Sequence, residues 1–322
     1  MDLGTFYNAD NAYYKLVSAV SESGKLYTPR GKSCIEIRPA SFCINDPVYA
    51  LYRGKDRKLN YAFWAMETLG YLAGLDSVKQ AQLLLPVNPN MEFVVNPETG
   101  GFDGAYGPYI SPRLQTIVAQ LRADPETRQA IIPIWHPSVD LQSRDVPCTI
   151  SLQFFQEKYS VNTQVPFLSL HASMRSNDLN WGWPYDIAAF CAIQWVVCCA
   201  LGWHIGNYYH TTGSLHYYLS TDGGAERPPK VTPQHEGQYY TQDALRIPVP
   251  YGMKVDEVRA AAFRLCEELI EYQQQGAKAL LSNFNSSLYN EADKYQDYQL
   301  KAYLEHWLHL IKGTWRTTPL TG

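Results

Sequence analysis

None of the seven cysteines (Cys34, Cys43, Cys148, Cys191, Cys198, Cys199, Cys266) stands in a C-x-x-C pair, and no His/Cys cluster has zinc spacing. A structural metal site is therefore not expected. The odd cysteine count fits reduced thiols, and a cytoplasmic location is the expectation. No basic block is present: 27 Lys and Arg against 31 Asp and Glu leave a net charge of −4. That argues against a broad cationic nucleic-acid surface, but not against a site for one small anion. Charged residues are scarce, at 18%, beside 46% hydrophobic residues, which excludes a disordered chain. Gly and Pro are ordinary in number, at 21 and 20, so collagen-like and linker-like chains are excluded too. The opening MDLGTFYNADNAYY has no basic n-region or apolar h-region, so no secretory signal is read there. No repeat of 20–50 residues marks a solenoid. Residues 187–203 form an apolar run without charge; Gln194 interrupts it and no Lys/Arg flank marks a cytoplasmic side. A buried core helix opened by Asp186, not a membrane span, is expected.

What is present is a chain of 322 residues with 24 Tyr and 8 Trp, long enough for a large core in one or two domains. Periodicity predicts helices over residues 1–25 (apolar Tyr13, Leu16, Val17, Val20), 59–74, 113–122, 187–201, 254–282 and 291–313. Strands are expected at 34–38, 131–135, 149–155 and 167–174, and an irregular Gly/Pro/Asn-rich stretch at 86–112. The alternation predicts an α/β or α+β fold. The expected organisation is a catalytic domain over 1–220. A polar, Pro-rich connection and a helical extension packed on the same domain follow over 221–322.

Several short segments carry chemistry. Pro147-Cys148 precedes an apolar strand, where a cysteine is a candidate nucleophile; taken alone, a cysteine is more often a small core residue. Arg175-Ser176-Asn177-Asp178 offers guanidinium and hydroxyl donors to a phosphate; alone, it reads as a surface ion-pair site. Asp186 in Gly182-Trp183-Pro184-Tyr185-Asp186 reads first as a helix cap. Gly213-Ser214-Leu215-His216-Tyr217-Tyr218 puts His216 and Tyr218 on one strand face. Glu67 is the lone acid in an apolar helix, where a structural role would be a buried ion pair.

In this order the segments PC (147–148), RSND (175–178), GWPYDIA (182–188) and GSLHYY (213–218) resemble the thymidylate synthase family. Upstream, DPETRQAIIPIW (124–135) and GAYG (104–107) resemble its dimer segment and Tyr-Gly loop. The resemblance implies a twisted mixed sheet flanked by helices, dimerised through the sheet. It implies that Cys148 attacks C6 of a pyrimidine nucleotide, making C5 a nucleophile toward 5,10-methylenetetrahydrofolate. Arg30, Arg175 and Ser176 are implied to hold the 5′-phosphate, with Arg128 arriving from the second subunit of a homodimer. His216 and Tyr218 are implied at the sugar, and Asp178, Tyr106, Trp181 and Gly182 at the folate. Glu67 is implied to organise proton transfer and water.

The departures from the family pattern narrow the reading. Asp186 stands where the synthases have Asn. An amide donates and accepts, which suits uracil; a carboxylate accepts only, which suits the N4 amine of cytosine. Deoxycytidylate hydroxymethylases share this Asp. The loop MEFVVNPETGGFDG lacks the family's paired tryptophans, and the chain ends in WRTTPLTG instead of a short apolar lid. Both point to water, not hydride, reaching the transferred carbon. Gln129 replaces an Arg of the dimer segment and Thr149 the usual His; Arg38 or Arg144 are the candidates to compensate at the phosphate. The expected activity is C5-hydroxymethylation of dCMP, which Ser176 favours over CMP. A CMP hydroxymethylase, a dUMP-methylating synthase and a non-catalytic nucleotide-binding protein are the alternatives.

Overall fold

The computed structural model describes residues 1–54, 57–136, 141–158, 165–219, 247–276 and 280–313. Most of the polar stretch 221–250 and all of the tail WRTTPLTG lie outside the described residues. In chain order the elements are β1 (Asp2–Phe6), α1 (Ala9–Ser23), β2 (Lys25–Tyr27), β3 (Cys34–Ile37), β4 (Ala40–Ile44), α2 (Tyr61–Ala73), α3 (Ser77–Leu84), α4 (Gly107–Ile110), α5 (Leu114–Ala123), β5 (Ile131–Pro133), β6 (Thr149–Glu157), β7 (Phe167–Met174), β8 (Asn177–Asp178), α6 (Trp183–Leu201), β9 (His204–Thr212), β10 (Leu215–Tyr218), α7 (Val255–Gln273), α8 (Ser287–Lys294) and α9 (Tyr298–Lys312). They fall into two compact units: 1–59, 148–191 and 205–247 form the first, and 60–147, 192–204 and 248–322 the second.

In the first unit β1, β4, β9, β7 and β6 lie side by side in that order. β1 and β4 are parallel, whereas β4/β9 and β6/β7 are antiparallel, so the sheet is mixed, as expected. A second, smaller sheet runs β2-β3-β10-β8. Helix α1 buries Tyr13, Leu16, Val17 and Val20, the stripe its periodicity predicts. It does not begin at residue 1. Residues 2–6 pair with β4 instead, and the Asn8 side chain, accepting from Asn11 N, opens the helix only afterwards. Helix α6 starts one turn before the predicted residue 187, at Trp183. By length and composition it is the one described helix able to cross a membrane, and 78% of its apolar window is buried.

The second unit is built around α2, which is apolar on nearly all sides and buries Phe63, Trp64, Met66, Leu69, Tyr71 and Leu72. Asn60 caps its start and Gly74, left-handed, ends it. α7 and α9 pack on α2, and Trp307 of α9 stacks on Trp64 with ring centroids 5.4 Å apart. α7 ends at Gln273, short of the predicted 282. The single helix predicted over 291–313 is two: Gln296 is left-handed, and Asp297 caps α9 by accepting from Leu300 N. The Asp297 cap and the left-handed residue before it end one helix and begin the next, which apolar periodicity alone does not register.

Candidate active site

The antiparallel pairing of β6 with β7 sets Thr149 opposite Met174. Cys148, just before β6, is thereby brought beside Arg175, just after β7. Arg175 N donates to Cys148 O at 2.8 Å, and Arg175 Nη2 lies 3.5 Å from Cys148 Sγ. A guanidinium there stabilises negative charge on a half-buried sulfur. The other thiols are buried or half-buried, and Cys34 Sγ lies 3.9 Å from Glu36 Oε2. Burial pushes Cys43 up to about 11 and Cys199 up to about 12, and raises Cys34, Cys191, Cys198 and Cys266 as well. Cys148 is therefore the thiol placed for chemistry.

His216 sits next to this pair. β10 runs antiparallel to β3 and sets His216 opposite Glu36. Ser214 Oγ donates to Glu36 Oε2 at 2.8 Å and meets His216 Nδ1 at 3.1 Å. Glu36 is only 4% exposed and pairs with Arg38 Nε, whose guanidinium lies over the Tyr27 ring at 4.0 Å. Burial first, and then the charges of Arg175, Arg38 and Arg30, hold His216 down to about 4. The ring is neutral at pH 7, set among three guanidinium groups and one buried acid. Arg30 occupies a left-handed turn (φ 52°) between β2 and β3, a conformation uncommon for a side chain of this size. Tyr218 meets His216 edge-on, with centroids 4.9 Å apart. Ser176 follows Arg175 and is half-buried. Of the two candidates to replace the missing arginine, Arg38 belongs to this cluster. Arg144 lies exposed in the loop before Pro147, in the second unit.

β8 and the start of α6 continue the site beside β10. β8 pairs in parallel with β10, setting Asn177 by Leu215 and Asp178 by His216. The segments RSND and GSLHYY are thus neighbouring strands. Gly213 is required at their junction, because a Cβ there would stand 2.9 Å from Arg175 O. Asn177 Nδ2 donates to Asp186 Oδ2 at 2.8 Å. Burial pushes Asp186 up to about 7; the Asn177 hydrogen bond opposes this and the charge of Asp178 adds to it. Asp178 is itself pushed up to about 6 by burial, against hydrogen bonds from the Asn180 and Trp181 amides and the charge of Arg57. Arg57 steadies this turn by donating Nε to Asn180 O at 2.6 Å.

Trp181 is 56% exposed on the same turn as Asp178, and Gly182 adds no side chain there. A carboxyl with hydrogen-bonding capacity beside an open indole fits a flat heterocycle carrying N–H donors, such as the pterin of a folate. The remaining residues singled out in the sequence belong to the second unit. Glu67 is half-buried on α2, Tyr106 stacks on Tyr71 with centroids 5.2 Å apart, and Arg128 is exposed in the loop before β5. Sequence reasoning missed Glu36, Ser214, Asn177 and Arg57 as parts of the site. Glu36 alone had a local signal, an acid in the middle of a short apolar strand. Among the described residues no group of His, Cys, Asp and Glu is placed to hold a metal ion.

The first unit thus brings together a thiol beside an arginine, an arginine cluster about a histidine and a carboxyl at a helix start. The sequence profile described as Thymidylate synthase matches residues 107–303, and the chain belongs to the thymidylate synthase family. The match contains Cys148, Arg175, Asp178, Asp186 and His216, and extends through α7 and α8 into α9. The chain is similar to the deoxyuridylate hydroxymethyltransferase of Bacillus phage SP01, at 29% identity over 80% of this chain and 65% of the relative. It is also similar to the thymidylate synthases of Homo sapiens (29%, over 48% of this chain and 44% of the relative) and Haloferax volcanii (30%, over 36% and 31%). The aligned region spans less than two thirds of the length of each of these relatives. Members of the family use methylenetetrahydrofolate as cosubstrate.

Proposed function

We propose that this chain hydroxymethylates C5 of a cytidylate, with deoxycytidylate as the first substrate and methylenetetrahydrofolate as the one-carbon donor. The observation that carries the base assignment is Asp186, a carboxyl at the start of α6 with one oxygen engaged by Asn177. Its other oxygen remains to accept from the N4 amine of cytosine. The phosphate binds among Arg30, Arg38 and Arg175, and neutral His216 with Tyr218 meets the sugar. Cys148 Sγ, beside Arg175, adds to C6 of the pyrimidine, and the electron pair released to C5 makes that carbon the nucleophile. Asp178, Trp181 and Gly182 hold the folate, which supplies a one-carbon unit at the oxidation level of formaldehyde; the family resemblance gives Tyr106 a part in folate binding as well. Glu67 manages the proton and the water. A second copy of the chain contributes Arg128 to the phosphate site of a cytoplasmic homodimer. Hydroxymethyl rather than methyl transfer is supported by the name of the phage relative and by the loop without paired tryptophans.

A second reading has its own support. That relative is a deoxyuridylate enzyme, and an Asp186 carboxyl pushed up to about 7 is partly neutral at pH 7. A neutral carboxylic acid donates as well as accepts, as the amide of Asn does, and so matches uracil. Competition separates the two. Full-length protein receives methylenetetrahydrofolate and equal dCMP, CMP and dUMP, and the products are read by mass spectrometry. A hydroxymethyl gain mainly on dCMP, with tetrahydrofolate formed, is expected. Preferential gain on dUMP refutes the cytosine assignment, and a methyl gain with dihydrofolate refutes hydroxymethylation.

A further inference from the structure

We propose that Asn177 is a specificity-determining positioning residue: it occupies one oxygen of Asp186 and so presents the other to the base as an acceptor. The inference rests on the reading of Asp186 as the base-recognising group. In the segment 175–178, Asn177 is the one side chain to which the family resemblance assigns no role. It is 2% exposed, and its amide nitrogen is 2.8 Å from Asp186 Oδ2. Its Oδ1 is buried with no hydrogen-bond partner among the described residues, a loss that burial makes expensive. Its backbone is clamped, N donating to Ser214 O at 2.8 Å in a strand paired with β10. The side chain is therefore held at one point.

The consequence for recognition follows from donor and acceptor counting. An N–H pointed at Oδ2 favours the carboxylate over the acid, because the carboxylate is the stronger acceptor. With Oδ2 engaged, Oδ1 is the oxygen left for substrate. A cytosine amine satisfies it, whereas the O4 of uracil sets acceptor against acceptor. Remove the amide and the acid is free to keep its proton and donate to O4. Gly182 clears the space beside this pair. A Cβ there would lie 3.2 Å from Asp186 Oδ2 and 3.6 Å from Asn177 Nδ2, tight enough to displace the carboxyl.

The test compares kcat/KM for dCMP and dUMP in the full chain carrying Asn177→Ala, Asn177→Ser, Gly182→Ala or Asp186→Asn. Asn177→Ala is expected to lower the dCMP-to-dUMP ratio about tenfold, the worth of one charge-assisted hydrogen bond. Asn177→Ser, which keeps a short donor, is expected to retain part of the ratio. A merely structural role lowers both substrates together and leaves the ratio unchanged; that result overturns the proposal. Should Asn177→Ala not fold, Gly182→Ala is the substitute, and an unchanged ratio there is equally damaging. Asp186→Asn separates the two levels. If it shifts the ratio and the Asn177 variants do not, Asn177 is not the determinant. If Asp186→Asn leaves the ratio unchanged, the base reading itself is wrong.

Discussion

Replacing Asp186 by Asn should stabilise the ligand-free protein, and only above mildly acidic pH. Burial raises this carboxyl from the ordinary 3.8 to about 7. An acid whose folded value lies above its unfolded value keeps its proton in the native state while the unfolded chain has already released one. Stability therefore falls as pH rises from about 4 to about 7, and the whole penalty is present above that. At about 1.4 kcal/mol per pH unit, the ceiling is about 4 kcal/mol at pH 8. Asn carries no such penalty and can still accept from Asn177. Thermal melts of both proteins, without nucleotide or folate, at pH 4, 5, 6, 7 and 8 test this. The difference in Tm should be near zero at pH 4 and grow to several degrees by pH 8, at roughly 2–4 °C per kcal/mol for chains somewhat shorter than this one. Asp178, raised to about 6, acts in both proteins over part of the same window and so largely cancels. A pH-independent difference, or a loss of stability at pH 8, refutes the reasoning. The same variant should lose preference for cytosine, so that a costly buried acid is kept for recognition rather than for folding.

Three other outcomes are open to direct measurement. Cys148→Ser should cut turnover by about a thousandfold or more while calorimetry finds dCMP binding little changed; surviving turnover would contradict covalent addition at C6. Arg38→Met keeps an apolar stem of similar length but removes the guanidinium, which lies over the Tyr27 ring and pairs with Glu36. It should weaken dCMP about tenfold and leave deoxycytidine unaffected, and equal weakening of both would place Arg38 away from the phosphate. Trp307→Ala removes a fully buried ring stacked on Trp64 and should cost about 3–5 kcal/mol in urea unfolding. A cost below about 1 kcal/mol would mean that this stack is not central to its helical unit.

Much of the local structure could be read along the chain. The spacing of Tyr13, Leu16, Val17 and Val20 marked α1, and an apolar run closed by Gly74 marked α2. The unbroken residues 167–174 coincide with β7. The four ordered segments about Cys148, Arg175, Asp186 and His216 identified the family, because each carries its meaning within six or seven residues. β1, β4 and β9 were not legible. Strands acquire their identity from partners elsewhere, whether short, as β1 beside β4, or nine residues long, as β9 beside β4.

The site divides along the same line. Residue types and their order along the chain pointed to Cys148 as the candidate nucleophile, to the candidate phosphate donors and to Asp186 in place of the family's Asn, since these readings follow from side-chain chemistry. Only the tertiary structure decided what surrounds them. Glu36 reaches Ser214 across 178 residues of sequence, Arg38 joins Arg30 and Arg175 about His216, and Arg175 meets Cys148 through the register of two strands. The charge state of Asp186 was likewise beyond the sequence. A carboxyl's affinity for its proton depends on the water it has lost and the amide it has gained, and both are set by packing.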